Sequence, residues 1–323
     1  MRSGSATGRC QLFTGTARKS RPDAANWTES HTRMSGCNRS VASNMRTGAH
    51  FTPIGGAPGI ERLQAGLRGE GFTPHRHDTY AIGMTLSGVQ TFSYRGTKRV
   101  CLPGQWHVLH PDELHDGVPG TDDGFAYRIV YVDPALVFES SDRRLPFVAD
   151  PIVDGAKVPR ALARYLQRDG TDDEDDDLAA TDVVTVIADM LSAHSSAGRV
   201  VPQRLDRAAI TRVRESLMDN PSRRYRAADV ERIAGMDRWS VARQFRAAFG
   251  TSPSRFRTMR QLQLARSLIV GGAALAEAAH AAGFADQAHF TRKFKAAYGL
   301  TPAAWSGAVR HKPPVTSSTD PLT

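Results

Sequence analysis

Cysteine is scarce: the 323 residues contain three, Cys10, Cys37 and Cys101. With no CxxC pair, they give neither the even count of a disulfide framework nor the spacing of a thiolate zinc site, and they fit a reducing, cytoplasmic setting. Long apolar runs are also missing. The best candidate, Leu178 to Leu191, is interrupted by Asp182 and Asp189 and falls short of the roughly 18–20 residues a membrane helix needs, so no membrane partner is expected. The first 48 residues carry eight Lys/Arg against two Asp/Glu, are rich in Ser, Thr and Gly, and have no apolar block able to act as a secretory signal. A transit peptide has similar composition. The reading preferred here is a disordered tail or a start assigned too early, with Met34 or Met45 as the true start. Residues 313–323 are expected to be a second disordered tail.

What the chain has in quantity is charge, and it is unevenly placed. Residues 49–198 hold 13 Lys/Arg against 22 Asp/Glu, a net of −9, whereas residues 199–312 hold 21 against 8, a net of +13. Such a division suits a polyanion-binding domain joined to a domain with another task, although charge alone does not separate nucleic acid from an anionic membrane or a solvated face. The length also favours two domains.

From Phe51 to Val132 short, often alternating runs are broken by Gly, Pro and Asp: Tyr80 to Leu86, Val89 to Tyr94, Val100 to Leu102, Trp106 to Leu109 and Tyr127 to Val132. They read as an antiparallel barrel or sandwich. The acidic run Asp169 to Asp177 is expected to form an exposed loop before a helix from Leu178 to about Ser195. The apolar positions Val183, Val184, Ile187, Met190 and Leu191 of that helix recur at helical spacing and face either the barrel or a second subunit. Ser196 to Arg204 reads as a linker, after which the periodicity is helical to Trp305.

The basic half repeats itself at an offset of 49 residues. Arg243-Gln-Phe-Arg-Ala-Ala-Phe-Gly-Thr-Ser-Pro253 aligns with Arg292-Lys-Phe-Lys-Ala-Ala-Tyr-Gly-Leu-Thr-Pro302, and a helix ending in Gly precedes each, Ala228 to Gly235 and Leu275 to Gly283. Each copy is helix, tight turn, helix, which is the helix-turn-helix pattern. Val241, Phe245 and Phe249 face inward in one second helix, and Phe290, Phe294 and Tyr298 in the other. The outward sets are Arg238, Trp239, Ser240, Arg243 and Arg246, and then Asp286, Gln287, His289, Arg292, Lys293 and Lys295. Long donors near a helix N-terminus are what base edges on a groove floor require. The helix from Pro253 to about Val270 can hold the units one helical turn of DNA apart, about 34 Å.

These motifs, with Ala276-Glu-Ala-Ala-His-Ala-Ala-Gly-Phe between them, resemble the signature of the AraC/XylS family of bacterial transcription regulators over Leu205 to Trp305. The resemblance makes the helices from Arg238 and Asp286 the recognition helices. It implies DNA contacts by Trp239 and Arg243, and by Gln287, His289 and Arg292, to which the outward face of the first of these helices adds Arg238 and Ser240 as candidates. Ala288 stands where the family often has a polar contact residue. Blander roles stay open: Trp239 as a half-buried anchor, Arg243 and Arg292 as phosphate contacts, His289 as a surface histidine.

Upstream, Pro74-His-Arg-His-Asp-Thr-Tyr80, Gly88, Pro103-Gly-Gln105 and Pro111-Asp-Glu-Leu-His115 resemble the cupin-like sensor domain of the same family. His75, His77 and His115 could supply three imidazoles to a metal, but no Glu follows His77 at the spacing of metal cupins, so no metal or other cofactor is expected. A ligand-contacting role for His75, His77, Tyr80, Trp106, His115 and Arg128 is expected instead.

The expectation is therefore a multidomain chain: an all-β cupin-like barrel with a flanking helix over 49–198, then an all-α double helix-turn-helix domain over 199–312. It is read as a sequence-specific DNA-binding transcription regulator and not an enzyme. Its expected partners are double-stranded DNA, a small-molecule effector, RNA polymerase and a second copy of the chain. A metal-cupin dioxygenase or isomerase fused to a DNA-binding module, and a constitutive architectural DNA binder, are the competing classes.

Overall fold

Strands come first and helices last. β1 (Gly48–Ala57), β2 (Ile60–Arg68), β3 (Phe72–His75), β4 (Tyr80–Gly88), β5 (Gln90–Tyr94), β6 (Thr97–Cys101), β7 (Trp106–Leu109), β8 (His115–Pro119) and β9 (Phe125–Val132) follow one another without an intervening helix. Then come α1 (Pro134–Ser141), the short β10 (Ile152–Val153), α2 (Arg160–Gln167) and α3 (Asp176–Ala193). The computed structural model describes residues 48–141, 145–168, 176–195 and 205–310. The expected tails, the linker and most of the acidic loop lie outside the described residues.

The strands form two antiparallel sheets, one ordered β1-β2-β9-β4-β7-β10 and the other β3-β8-β5-β6. Between the sheets sit Leu67, Phe92, Tyr94, Leu109, Phe125, Tyr127 and Ile129. The outer face of the larger sheet is buried as well: Tyr80, Ile82, Trp106, Val108, Val130 and Val132 pack with Leu162, Leu166, Val183, Ile187 and Leu191 of α2 and α3. A strand buried on both faces shows a continuous apolar run rather than alternation, and Tyr127 to Val132 reads that way.

The apolar stripe of α3 is spent on this intramolecular core, leaving Thr181, Asp182, Thr185 and Asp189 exposed. Of the two partners the sequence allowed for that stripe, the barrel is the one it meets. Beneath it, Arg62, almost wholly buried, donates to the carbonyl of Tyr165 at 2.7 Å, and Arg128 donates to that of Gln167. Both cations lie at the C-terminal end of α2, where unpaired carbonyls concentrate partial negative charge.

The helical half comprises α4 (Arg207–Asp219), α5 (Ala227–Ala234), α6 (Arg238–Phe249), α7 (Pro253–Val270), α8 (Leu275–Ala281), α9 (Gln287–Tyr298) and α10 (Pro302–Arg310). The 49-residue repeat is reproduced in its details. Asp237 caps α6, accepting from the backbone N–H of Trp239 and Ser240, and its equivalent Asp286 caps α9, accepting from His289 N–H. Such caps contribute about 1 kcal/mol each. Phe245 meets Phe256 with ring centroids 5.5 Å apart, and the equivalent pair Phe294 and Trp305 sits at 5.7 Å. Both α6 and α9 end on a left-handed glycine, Gly250 (φ 71°) and Gly299 (φ 73°), a conformation costly for any residue with a Cβ.

The two halves pack on each other. Among the described residues four ion pairs cross between them: Arg214–Asp133 at 2.7 Å, Arg255–Asp112 at 2.6 Å, Arg260–Asp78 at 2.6 Å and Arg266–Glu61 at 2.8 Å. Three of these arginines lie on α7, so the helix linking the two helix-turn-helix units also ties them to the barrel.

Candidate nucleic-acid interface and ligand cavity

On α6, burial of Val241, Phe245, Ala248 and Phe249 fixes the opposite face outward. Trp239 is 70% exposed, which for so large an apolar ring is a surface left uncovered rather than an anchor. Arg238 and Arg243 are also exposed and Ser240 is half-buried. Arg238 is engaged within its own unit, with Nε 2.8 Å from Glu231 and its backbone N–H donating to the same carboxylate. Arg243 donates to the Ser240 hydroxyl at 3.0 Å. On α9, Phe290 and Phe294 are buried while Gln287, Ala288, Arg292, Lys293 and Lys295 are exposed or rim the buried face. The ring of His289 stands edge-on to Phe284. Each set of expected contact residues thus falls within the first two turns of one helix.

A second feature lies between the halves, a cavity of about 690 Å³ walled by both. The barrel contributes Phe51, Phe72, Tyr127 and Tyr131 together with His75, His77, His107 and His115. The helical half contributes Arg266, Tyr298, Leu300 and Trp305. His75, His77 and His115 cluster, with ring centroids 4.3 Å apart for His75–His115 and 4.7 Å for His77–His115. Burial lowers His75 to about 4 and His107 to about 4, and burial with the neighbouring His75 lowers His77 to about 3. His115 is held well below its usual range by burial and then by His75 and His77. All four rings are therefore neutral near pH 7.

Three other residues expected to contact a ligand do not reach the cavity. Tyr80 donates its hydroxyl to the carbonyl of Pro146, Trp106 sits in the core under α2 and α3, and Arg128 caps α2. All three occupy the outer face of the larger sheet. In a strand, neighbours point to opposite faces, so Tyr127, Ile129 and Tyr131 line the cavity while Arg128 cannot. Residues passed over by sequence reasoning complete the wall: His107, one place along from Trp106, and Arg266 on α7.

Helix α9 ends at this cavity. A Cβ on Gly299 would lie 2.9 Å from His75 Nδ1, from Phe72 Cβ and from the Thr73 carbonyl. Thr73 donates its backbone N–H and its hydroxyl to the Gly299 carbonyl, at 3.2 and 2.9 Å. Strand β3 therefore serves as cavity wall and as seat for α9. Gly250, the equivalent end of α6, packs instead on Pro111 and Leu145.

Known proteins match along both halves. The AraC-like ligand binding domain model matches residues 57–180, and the helix-turn-helix domain model matches residues 230–308. In both halves the chain is similar to AraC-type regulators. A putative AraC-like transcription regulator of Streptomyces lividans is 32% identical over 84 residues, which is 26% of this chain and 28% of that protein. The two-domain architecture is shared with ToxT of Vibrio cholerae. An apo form of ToxT carrying a single substitution superposes with a TM-score of 0.56 at 12% identity, covering 79% of this chain and 99% of that one. A form bound to an unsaturated fatty acid superposes with a TM-score of 0.54 at 11% identity, over 82% and 98%. The AraC-type sensor and double helix-turn-helix expected from the sequence are thus both present, on an all-β half followed by an all-α half.

Proposed function

We propose that this chain is an AraC-type, sequence-specific DNA-binding transcription regulator whose grip on DNA is set by a small molecule held between barrel and helices. The observation that carries the reading is the shared cavity: one wall belongs to the barrel and the other to α7, α9 and α10, so occupancy is felt by the elements that carry the recognition helices. A ligand shifts an equilibrium only by its differential affinity for two arrangements, and a pocket closed by a movable domain supplies that difference. Arg238, Trp239, Ser240 and Arg243 would read or brace one groove segment, and Gln287, His289 and Arg292 the next. His75, His77 and His115 would contact the effector.

The domain limits 49–198 and 199–312, a cytoplasmic setting, a homodimer and contact with RNA polymerase belong to the same reading. No helix among the described residues is long and apolar enough to cross a membrane. For the dimer, the exposed polar face of α3 is the surface left available, since its apolar stripe is covered.

Selection of bound sites from random duplex DNA with the full chain, at fixed salt, tests the reading. Two short enriched blocks about one helical turn apart are expected. Binding that merely fades as salt rises, with no enriched motif, would replace the regulator by an architectural binder.

A further inference from the structure

The fold contains a buried histidine that it satisfies completely. His110 Nε2 lies 2.9 Å from the backbone N–H of Val148, and Nδ1 lies 2.7 Å from the Tyr94 hydroxyl. The cavity histidines are treated differently. Nδ1 of His75 lies 2.8 Å from the Thr73 carbonyl, Nδ1 of His77 2.9 Å from the Thr79 carbonyl, and Nδ1 of His115 3.0 Å from the Glu113 carbonyl. A carbonyl oxygen can only accept, so each Nδ1 carries the hydrogen. In a neutral ring the other nitrogen is then a bare lone pair. Among the described residues no hydrogen bond reaches Nε2 of any of the three. Nδ1 of His107, in the same wall, is buried and has no partner. Buried polar atoms are normally paired, and here the one buried orphan ring nitrogen among the described residues, His107 Nδ1, sits in the same cavity wall as three rings whose Nε2 makes no hydrogen bond.

The charges of the wall point the same way. Arg266 is its one basic side chain among the described residues apart from these histidines, and it is already held by Glu61. An anionic ligand would find neither a free cation nor a hydrogen-bond donor on the three clustered rings. Phe51, Phe72, Leu300 and Trp305 give the wall its apolar part.

We propose that the cavity takes an uncharged amphipathic molecule with two or more hydroxyl donors at one end, set against Nε2 of His75, His77 and His115, and an apolar ring or chain at the other. This rests on the sensor reading above and names the chemistry of its ligand. Deletion of a donor leaves a buried acceptor unpaired, and the loss to be read is roughly tenfold or more in affinity.

Two measurements on the full chain test it. Long-range nitrogen–proton spectra of histidine-labelled protein at pH 7 should show His75, His77 and His115 as neutral Nδ1–H tautomers; a proton on Nε2 of these rings overturns the proposal without any ligand. Calorimetric titration and thermal shift then compare 4-hexylresorcinol, its dimethyl ether, 4-hexylbenzoate and zinc chloride. The resorcinol should raise Tm and bind about tenfold or more tighter than the ether and the benzoate. In His115→Phe, or in His75→Phe should the first variant fold poorly, the advantage over the ether should shrink to about twofold. Tighter binding of the benzoate overturns the ligand class and leaves the sensor reading standing. Stoichiometric zinc bound through the three rings makes the cluster an ion site and overturns the class as well. No Tm shift from any of the four overturns both.

Discussion

The two helix-turn-helix units are copies in sequence and in local geometry, yet they are docked differently. The first rests its terminal glycine on Pro111 and shares its core with Phe138 of α1, so it is braced by the outside of the sensor. The second rests its terminal glycine on β3, beside His75, and lends Tyr298 to the ligand cavity. A tandem repeat can thus be recruited asymmetrically, with one copy as a fixed reference and the other placed where an effector can disturb it.

The largest effect that would sharpen this contrast is acid. The cavity histidines have folded-state values near 3 to 4, below the 6.5 of an exposed ring. The unfolded chain therefore binds protons first. Stability contributed by these rings is complete above about pH 6.5 and is lost as pH falls from there towards 4. Hydrogen exchange at about pH 5, inside that window, should show α9 losing protection before α6, and simultaneous loss would erase the distinction between the units. Next are Phe245→Ala and Phe294→Ala, equivalent fully buried rings whose loss should cost about 3–5 kcal/mol each in chemical denaturation. In a partly folded product, only the second substitution should also abolish ligand-induced stabilisation.

Arg243→Ala should cost about 1–3 kcal/mol at the selected DNA site if it reads a base. Equal loss on every sequence, seen by competition binding, would make it a phosphate contact. Smallest are Gly250→Ala and Gly299→Ala, each expected to cost about 1–2 kcal/mol from its positive φ alone. Titration with hexylresorcinol should separate them, with affinity altered in Gly299→Ala and retained in Gly250→Ala.

The helical half was legible in the sequence nearly to the residue, because a helix displays its buried face at fixed spacing and the repeat supplied a second copy of every signal: Asp237 with Asp286, Phe245 with Phe294, Gly250 with Gly299. The strands were legible in position but not in facing. Tyr80, Trp106 and Arg128 carry the side chains a ligand pocket would use, and their neighbours Thr79, His107 and Tyr127 are the ones that line it. A sheet covered on both sides gives no polar face by which to tell inside from outside. Arg266 was illegible for another reason: its role depends on Glu61, about two hundred positions earlier, and on the docking of two domains that local pattern does not describe.

The arginines that cross between the halves also bear on how tightly DNA is held. Arg214, Arg255, Arg260 and Arg266 are each neutralised by a carboxylate of the same chain. Counterions are released from DNA only by charges that phosphate itself pairs, at about 0.9 per contact. The excess of 21 basic over 8 acidic residues in 199–312 therefore overstates the effective valence of the docked form. An effector that loosened α7 from the barrel would return charge to the surface, and the event would register as a steeper dependence of affinity on salt before any change in the sequence preferred.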